Sequence, residues 1–193
     1  IGMVGIVEDM NNRMTLDFKN EGDTIVLLGQ QRNDIGSSEY LNKIKGVAFS
    51  QAPHFDLEEE FQLQQFVAGL IQSKQIKSAH DISEGGLFIT LAESGFNRDL
   101  GFNIDTDPAI RKDAFLFGEG QSRVIVSVNP ERQSKLEAAI AGKAFRKIGT
   151  VSSGNITIDG EDWGDINSWK KKYDTAIERL LAGHDAEFAM TPI

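Results

Sequence analysis

A chain of 193 residues, 40% hydrophobic and 25% charged, has the composition of one globular domain with a single core. With 20 Lys and Arg against 29 Asp and Glu, the net charge is −9 and the pI near 4.8, which disfavours nucleic acid as a partner, since that requires a basic face. No apolar run is long enough to span a bilayer, so no membrane partner is expected; the absence of cysteine excludes disulfides and thiolate metal sites and fits a reducing cytoplasm.

The chain opens on Ile1-Gly2-Met3-Val4-Gly5-Ile6-Val7, which predicts a strand or strand entry. It reads like the middle of a protein, so the chain is expected to be a domain cut from something longer. Asn11-Asn12 and Asn20-Glu21-Gly22-Asp23 mark turns. Thr24-Ile25-Val26-Leu27-Leu28 is apolar and largely β-branched, as suits a central strand covered on both faces. After Gly29 and a polar loop, Gly36-Ser37-Ser38-Glu39 predicts a short helix capped by Ser37 or Ser38. Asp56 suits the N-cap of a strong helix, with Glu59 placed for a capping box. Phe61, Leu63, Phe66, Val67, Leu70 and Ile71 then recur at helical spacing, up to a stop at 73–75.

Residues 76–79 predict a short strand that delivers His80 and Asp81 to a turn. A helix follows over about 84–94, with Leu87, Phe88, Leu91 and Ala92 inward and Gly95 as its stop. Residues 101–105 alternate as a strand, and 124–128 form the clearest strand in the chain. Asn129-Pro130 opens a helix to about residue 141. Strands at 145–151 and 156–160 read as a hairpin turning at Ser153-Gly154-Asn155. A last amphipathic helix covers 166–181, with Trp169, Tyr173, Ile177 and Leu180. This order predicts an α/β or α+β fold, a mixed β-sheet flanked by helices, in one domain over 1–182 with a tail at 183–193.

Three stretches carry groups suited to a phosphate and its metal. In His80-Asp81-Ile82-Ser83-Glu84-Gly85-Gly86, Asp81 is a hard oxygen donor for Mg²⁺ and Ser83 offers a hydroxyl. Gly85 and Gly86 would let a ligand approach backbone N–H groups at the helix start. The same residues also read as a capped helix, with Ser83 as the cap and the glycines packed against a neighbour. Gly36, Ser37 and Ser38 place a glycine before two hydroxyls, which suits an anion and equally a plain N-cap. In Gly118-Glu119-Gly120-Gln121-Ser122-Arg123, Glu119 suits a metal or a substrate hydroxyl, while Gln121 and Arg123 suit a polar ligand. The other reading of that run is a turn before a strand. His54 and His184 fall in loops, and no His pair stands at zinc-ligand spacing. The standard phosphate-loop, dinucleotide and nucleophile-elbow motifs are absent.

Together with Ile1-Gly2-Met3-Val4-Gly5, Phe55-Asp56-Leu57 and Ile148-Gly149-Thr150-Val151, these three stretches resemble the C-terminal domain of phosphoribosylformylglycinamidine synthase (FGAM synthase), the synthetase subunit of the purine pathway. The resemblance runs to about Leu181, and the His80 turn is shared across the aminoimidazole-ribonucleotide-synthetase-like superfamily. It implies the AIR-synthase C-terminal-domain fold within a tandem pseudo-dimer, of which this chain would be the second carboxyl-terminal-type domain. It implies ATP and Mg²⁺ as cofactors and activation of the formylglycinamide oxygen as a phosphate ester. Ammonia from a glutaminase subunit then displaces the phosphate. Upstream domains of the same chain and a small accessory subunit would be the other partners. Residue by residue, Asp81 matches a Mg²⁺ ligand and Ser83 a nucleotide contact of an auxiliary site. No catalytic residue of the family, at His80 or elsewhere, matches within this chain. The chain departs from the family's usual Gly-Gly-Ser-Glu at Gly36-Ser37-Ser38-Glu39 and from Glu-Ser-Gln at Glu119-Gly120-Gln121. The alternatives are a structural module with a dead site, or another ATP-dependent superfamily member of the thiamine-phosphate kinase or selenophosphate synthetase type.

Overall fold

Five consecutive apolar-side residues leave β1 (Thr24–Leu28) no face for solvent, and all five are buried in the middle of a seven-stranded sheet. The structure is a computed structural model and describes residues 4–183. The sheet runs in the order β2 (Ser78–Asp81), β4 (Val124–Val128), β1, β5 (Phe145–Ser152), β3 (Gly101–Ile104), β6 (Asn155–Ile158), β7 (Glu161–Asp165). Only the β3–β6 pair is parallel, so the sheet is mixed as expected. The helices are α1 (Leu57–Gln72), α2 (Gly86–Phe96), α3 (Lys112–Phe117), α4 (Gln133–Ala139), α5 (Ile166–Asp174) and α6 (Ala176–Leu181).

Alternation along β1 sends Ile25 and Leu27 to one face and Val26 and Leu28 to the other. The first pair packs with Leu87, Leu91, Phe115 and Ile166, from α2, α3 and α5. The second packs with Leu70, Val126, Leu136 and Ile140, beneath α1 and α4. Helices therefore cover both faces. Each fully buried Leu, Ile or Phe contributes on the order of 1.5–3 kcal/mol.

Several expectations are corrected. Residues 4–7 form no strand and stay exposed; residues 1–3, and with them the rest of that expected strand, lie outside the described residues, as do 184–193 of the tail, His184 included. Asp56 caps α1 as expected, accepting from Glu58 N and Glu59 N, both at 2.9 Å. Glu59 does not complete a capping box, because its carboxylate is drawn to Arg32, 2.9 Å away. β2 starts two residues later than read, so His80 and Asp81 belong to the strand rather than to the turn after it. Gly95 lies inside α2; a Cβ there would sit 2.1 Å from Leu100 O, so the glycine admits the returning chain rather than stopping the helix. The last helix breaks at Thr175, whose hydroxyl donates to Lys171 O at 2.7 Å.

The expected hairpin of β5 with β6 does not form, because β3 lies between them. Two glycines permit this. A Cβ on Gly149 would lie 1.9 Å from Asn103 O, and one on Gly101 would lie 2.1 Å from Asn155 O. β6 instead turns through Asp159-Gly160 into β7, a strand that the composition Glu161-Asp162-Trp163-Gly164-Asp165 does not advertise.

The polar lead-in hides one core residue. Phe18 is fully buried, and its N–H donates to Ser94 O at 2.7 Å, strapping the segment across α2. Beside it, Asp17 meets Arg98 at 2.9 Å and Lys19 at 3.1 Å. Burial works against the charged form of Asp17, but hydrogen bonds from Thr15, Arg98 and Lys19 outweigh it and hold the carboxyl well below the usual carboxylate range. The folded value lies below the unfolded one, so this contribution is complete above about pH 4 and fades as the pH falls towards the lowered folded value. The stability gap between the wild type and Asp17→Asn, measured by urea unfolding, is expected to be widest near neutral pH and to narrow progressively below about pH 4. A gap that is constant with pH would contradict this.

Candidate functional site

The three sequence stretches converge at the start of α2. Residues 83–86 form the turn into that helix, with Gly86 N donating to Ser83 O at 3.1 Å. Ser83 does not cap the helix. Gly85 holds the N-cap position in the left-handed region at φ 85°, and Gly86 follows at φ 69°. A Cβ on Gly86 would lie 2.8 Å from Phe117 Cα and from Gly118 O. The glycine pair therefore lets the helix start pack directly on the chain that carries Glu119.

Glu119 Oε1 accepts from Gly85 N and from Glu39 N, both at 2.9 Å. One carboxylate oxygen thus joins stretches separated by 34 and 80 positions. Tyr40 stacks on Phe117 with centroids 4.8 Å apart and rings 9° from parallel, closing the same junction. Arg123 is 5% exposed and donates to Gly118 O at 2.7 Å, Gly120 O at 2.8 Å and Gln31 Oε1 at 3.2 Å. Burial pushes its guanidinium down to about 10, while Asp34 and Glu119 pull the other way. The expectation that Arg123 meets a polar ligand is not what its contacts show: it is a buried brace for the 118–123 turn. Gln121 is exposed and borders a shallow hollow with Arg32, Asp34, His54 and Arg123.

Gly36, Ser37 and Ser38 spend their polar groups within their own loop. Gly36 N and His54 N donate to the two oxygens of Asp34, at 3.1 and 2.8 Å. Ser37 N donates to Ser50 Oγ at 2.7 Å, and Ser37 Oγ to Gln51 O at 3.2 Å. Ser38 is fully buried; its hydroxyl donates to Ile35 O at 2.8 Å and accepts from Leu41 N at 3.1 Å, capping the helical turn Tyr40–Ile44. Asp34 closes the neck of this loop and was not singled out in the sequence. Its signal is the Asn33-Asp34 pair two residues before a glycine, the pattern of an Asx turn.

His80 and Asp81 part company because strand neighbours face opposite ways. His80 turns onto α2, its Nδ1–H donating to Thr90 O at 3.2 Å, with Nε2 3.5 Å from Glu93. Asp81 takes the other face; its register partner Val124 packs on the core under α1. The Asp81 carboxylate is exposed and, among the described residues, makes no hydrogen bond or ion pair. The Ser83 hydroxyl is likewise exposed and unengaged. Among the described residues no group of three or more His, Asp or Glu gathers to enclose a metal. A single open carboxylate with a hydroxyl two residues on fits Mg²⁺ held mainly by phosphate oxygens and water, the mode that needs only one or two protein carboxylates. No described helix is long and apolar enough to cross a membrane.

The phosphoribosylformylglycinamidine synthase subunit PurL of Caldanaerobacter subterraneus subsp. tengcongensis is 41% identical over 161 residues, a match covering 82% of this chain and 22% of the relative. The chain thus spans about a fifth of that relative's length. Among solved structures, T. maritima PurL complexed with FGAR superposes with a TM-score of 0.67 at 14% identity, covering 82% of this chain and 29% of that one. T. maritima PurL complexed with ATP gives 0.61 at 16% identity, covering 80% and 26%. The family model for the C-terminal domain of AIR synthase related proteins matches residues 20–160, which include β1 to β6 and all three site stretches and stop just before β7. The chain belongs to the AIR synthase related protein family, as its C-terminal domain.

Proposed function

We infer that this chain, over residues 1–182, serves as the carboxyl-terminal AIR-synthase-type domain of an FGAM synthase, an ATP-dependent, C–N bond-forming ligase of purine biosynthesis working in the cytoplasm. The observation that carries this is the 41% identity to a PurL subunit over 82% of the chain. In this reading the whole enzyme activates the amide oxygen of formylglycinamide ribonucleotide as a phosphate ester. Ammonia from a glutaminase subunit displaces that phosphate, and a small accessory subunit and upstream domains complete the assembly. Phosphorylation turns a poor leaving oxygen into a good one, and the protein supplies positioning and charge neutralisation. The catalytic residues belong to the other domains. Within this chain Asp81 is the Mg²⁺ contact and Ser83 the nucleotide contact. The Gly85-Gly86 turn and the Gly36, Ser37, Ser38 loop shape the nucleotide side, and Gln121 faces the substrate side, on a turn that Glu119 and Arg123 brace from within.

A second reading, a scaffold with a dead site, draws on the Glu119 carboxylate, which already occupies Gly85 N where a phosphate would approach. One titration separates the two. ADP at about 100 times its dissociation constant, with Mg²⁺, is expected to stabilise the chain by about 2.7 kcal/mol, a melting-temperature rise of roughly 5–10 °C. Asp81→Ala, at an exposed residue with no partner to lose, should abolish the Mg²⁺-dependent rise while leaving the unliganded melting temperature unchanged. A wild type indifferent to ADP and Mg²⁺ would favour the scaffold.

A further inference from the structure

Glu119 is anchored unusually well for a half-buried carboxylate. The run beneath it is held by the Arg123 guanidinium on Gly118 O and Gly120 O. Gly118 lies so close to its surroundings that a Cβ would meet Asp34 O at 2.4 Å and Ala114 O at 2.5 Å. From this base Oε1 takes both the Glu39 and the Gly85 N–H, and among the described residues neither N–H has another acceptor. Gly85 follows Ser83 by two residues, so the bond to Glu119 sets the turn from which Ser83 projects. Gly85 and Gly86 are both in the left-handed region, and a turn of two such glycines has many conformations open to it unless something outside selects one. Glu119 is the charged group that does so. Oε2 receives no hydrogen bond among the described residues, so the two backbone bonds are what this side chain is committed to.

We propose that Glu119 is a positioning residue: its carboxylate clasps the Glu39 and Gly85 backbones and holds the Ser83–Gly86 turn in the shape that meets a Mg²⁺-bound nucleotide. This rests on the nucleotide reading above. It assigns Glu119 no direct contact with metal or ligand. Glutamine in its place keeps a carbonyl oxygen that accepts both N–H groups, whereas alanine leaves both to water.

The test compares wild type, Glu119→Gln and Glu119→Ala as the whole 193-residue chain. ADP binding is measured by calorimetry at saturating Mg²⁺, and amide hydrogen exchange is followed by NMR at a temperature where all three are folded. Glu119→Gln should bind within about twofold of wild type, and Glu119→Ala about tenfold or more weaker, the loss matching that of a charge-assisted hydrogen bond. The Glu39 and Gly85 amides should exchange faster in the alanine variant alone, with β1 amides unchanged. Equal affinity in Glu119→Ala overturns the proposal. So does a glutamine variant as weak as alanine, since that result belongs to a carboxylate ligating the metal directly. A tighter alanine variant also overturns it, because Glu119 would then be competing with the ligand's phosphate. If wild type binds no ADP, the nucleotide reading fails, and the positioning role falls with it. The exchange arm then still decides whether the clasp exists, with protection lost only in alanine if it does and unchanged if it does not.

Discussion

Phe88→Ala is expected to lower stability by about 3–5 kcal/mol, the cost of emptying an aromatic site in a close-packed core. With 2% of its surface exposed, the ring stands at the centre of an aromatic group. Its centroid lies 4.9 Å from Trp169, 5.2 Å from Trp163, 6.0 Å from Phe117 and 6.2 Å from Phe102. Those rings come from α5, β7, α3 and β3, so one side chain joins four elements to α2. The surroundings have little freedom to collapse into the cavity, because Trp169 Nε1 is tied to Trp163 O at 2.8 Å. At this chain length the loss corresponds to a fall in melting temperature on the order of 10 °C. Trp163 and Trp169 are the chain's 2 tryptophans, so their fluorescence reads the change directly. A loss below about 1 kcal/mol would show that the rings re-pack, contrary to this account.

Gly86→Ala is expected to cost about 2–4 kcal/mol, combining the left-handed backbone with a clash against fixed backbone atoms. Gly85 and Gly120 provide the controls. At Gly85 the added Cβ meets Ile89, at 2.4 Å from Cγ1 and 2.8 Å from Cβ, and a β-branched side chain in a helix has little freedom to move aside, so with a similar φ the cost there should be comparable. At Gly120 the nearest atom is Arg123 Nη2 at 4.0 Å, so alanine there should be close to neutral. Large losses at Gly86 and Gly85 with little change at Gly120, measured by denaturant midpoints, are the expected result. A Gly120 variant as damaged as Gly86 would mean that the packing of 118–123 is not what the geometry says. Because Gly86 sits under the Glu119 junction, its alanine variant should also loosen the turn from which Ser83 projects.

The strongest elements were legible because their signals are local. β1 and β4 are dominated by Val, Ile and Leu, with only Thr24 and Ser127 polar, and both appear with the boundaries read from sequence. α1 declares its start through Asp56 and its face through residues such as Leu70. Where pairing depends on residues far away, local reading failed. β5 and β6 are separated by a short turn and look like a hairpin, yet β3 intervenes because Gly149 and Gly101 clear space for its backbone. Phe18 stands in a polar stretch and in no regular element; only the strap across α2 explains its burial.

The same division holds at the site. Composition and motif mark Asp81, Ser83, the Gly85-Gly86 pair and the 118–123 run as chemically unusual, and the strand period places His80 and Asp81 on opposite faces. Which groups remain available was decided only by the fold. It spends the hydroxyls of Ser37 and Ser38 on their own loop, buries Arg123 against carbonyls, and leaves Asp81 and Ser83 open. It also brings Glu119 to backbone groups 34 and 80 positions away. Helical and strand periods, caps and turn residues act over a few positions, so the sequence alone determines them. A hydrogen bond between distant segments exists only once the chain has closed those loops, and no local pattern records which carboxylate will receive it.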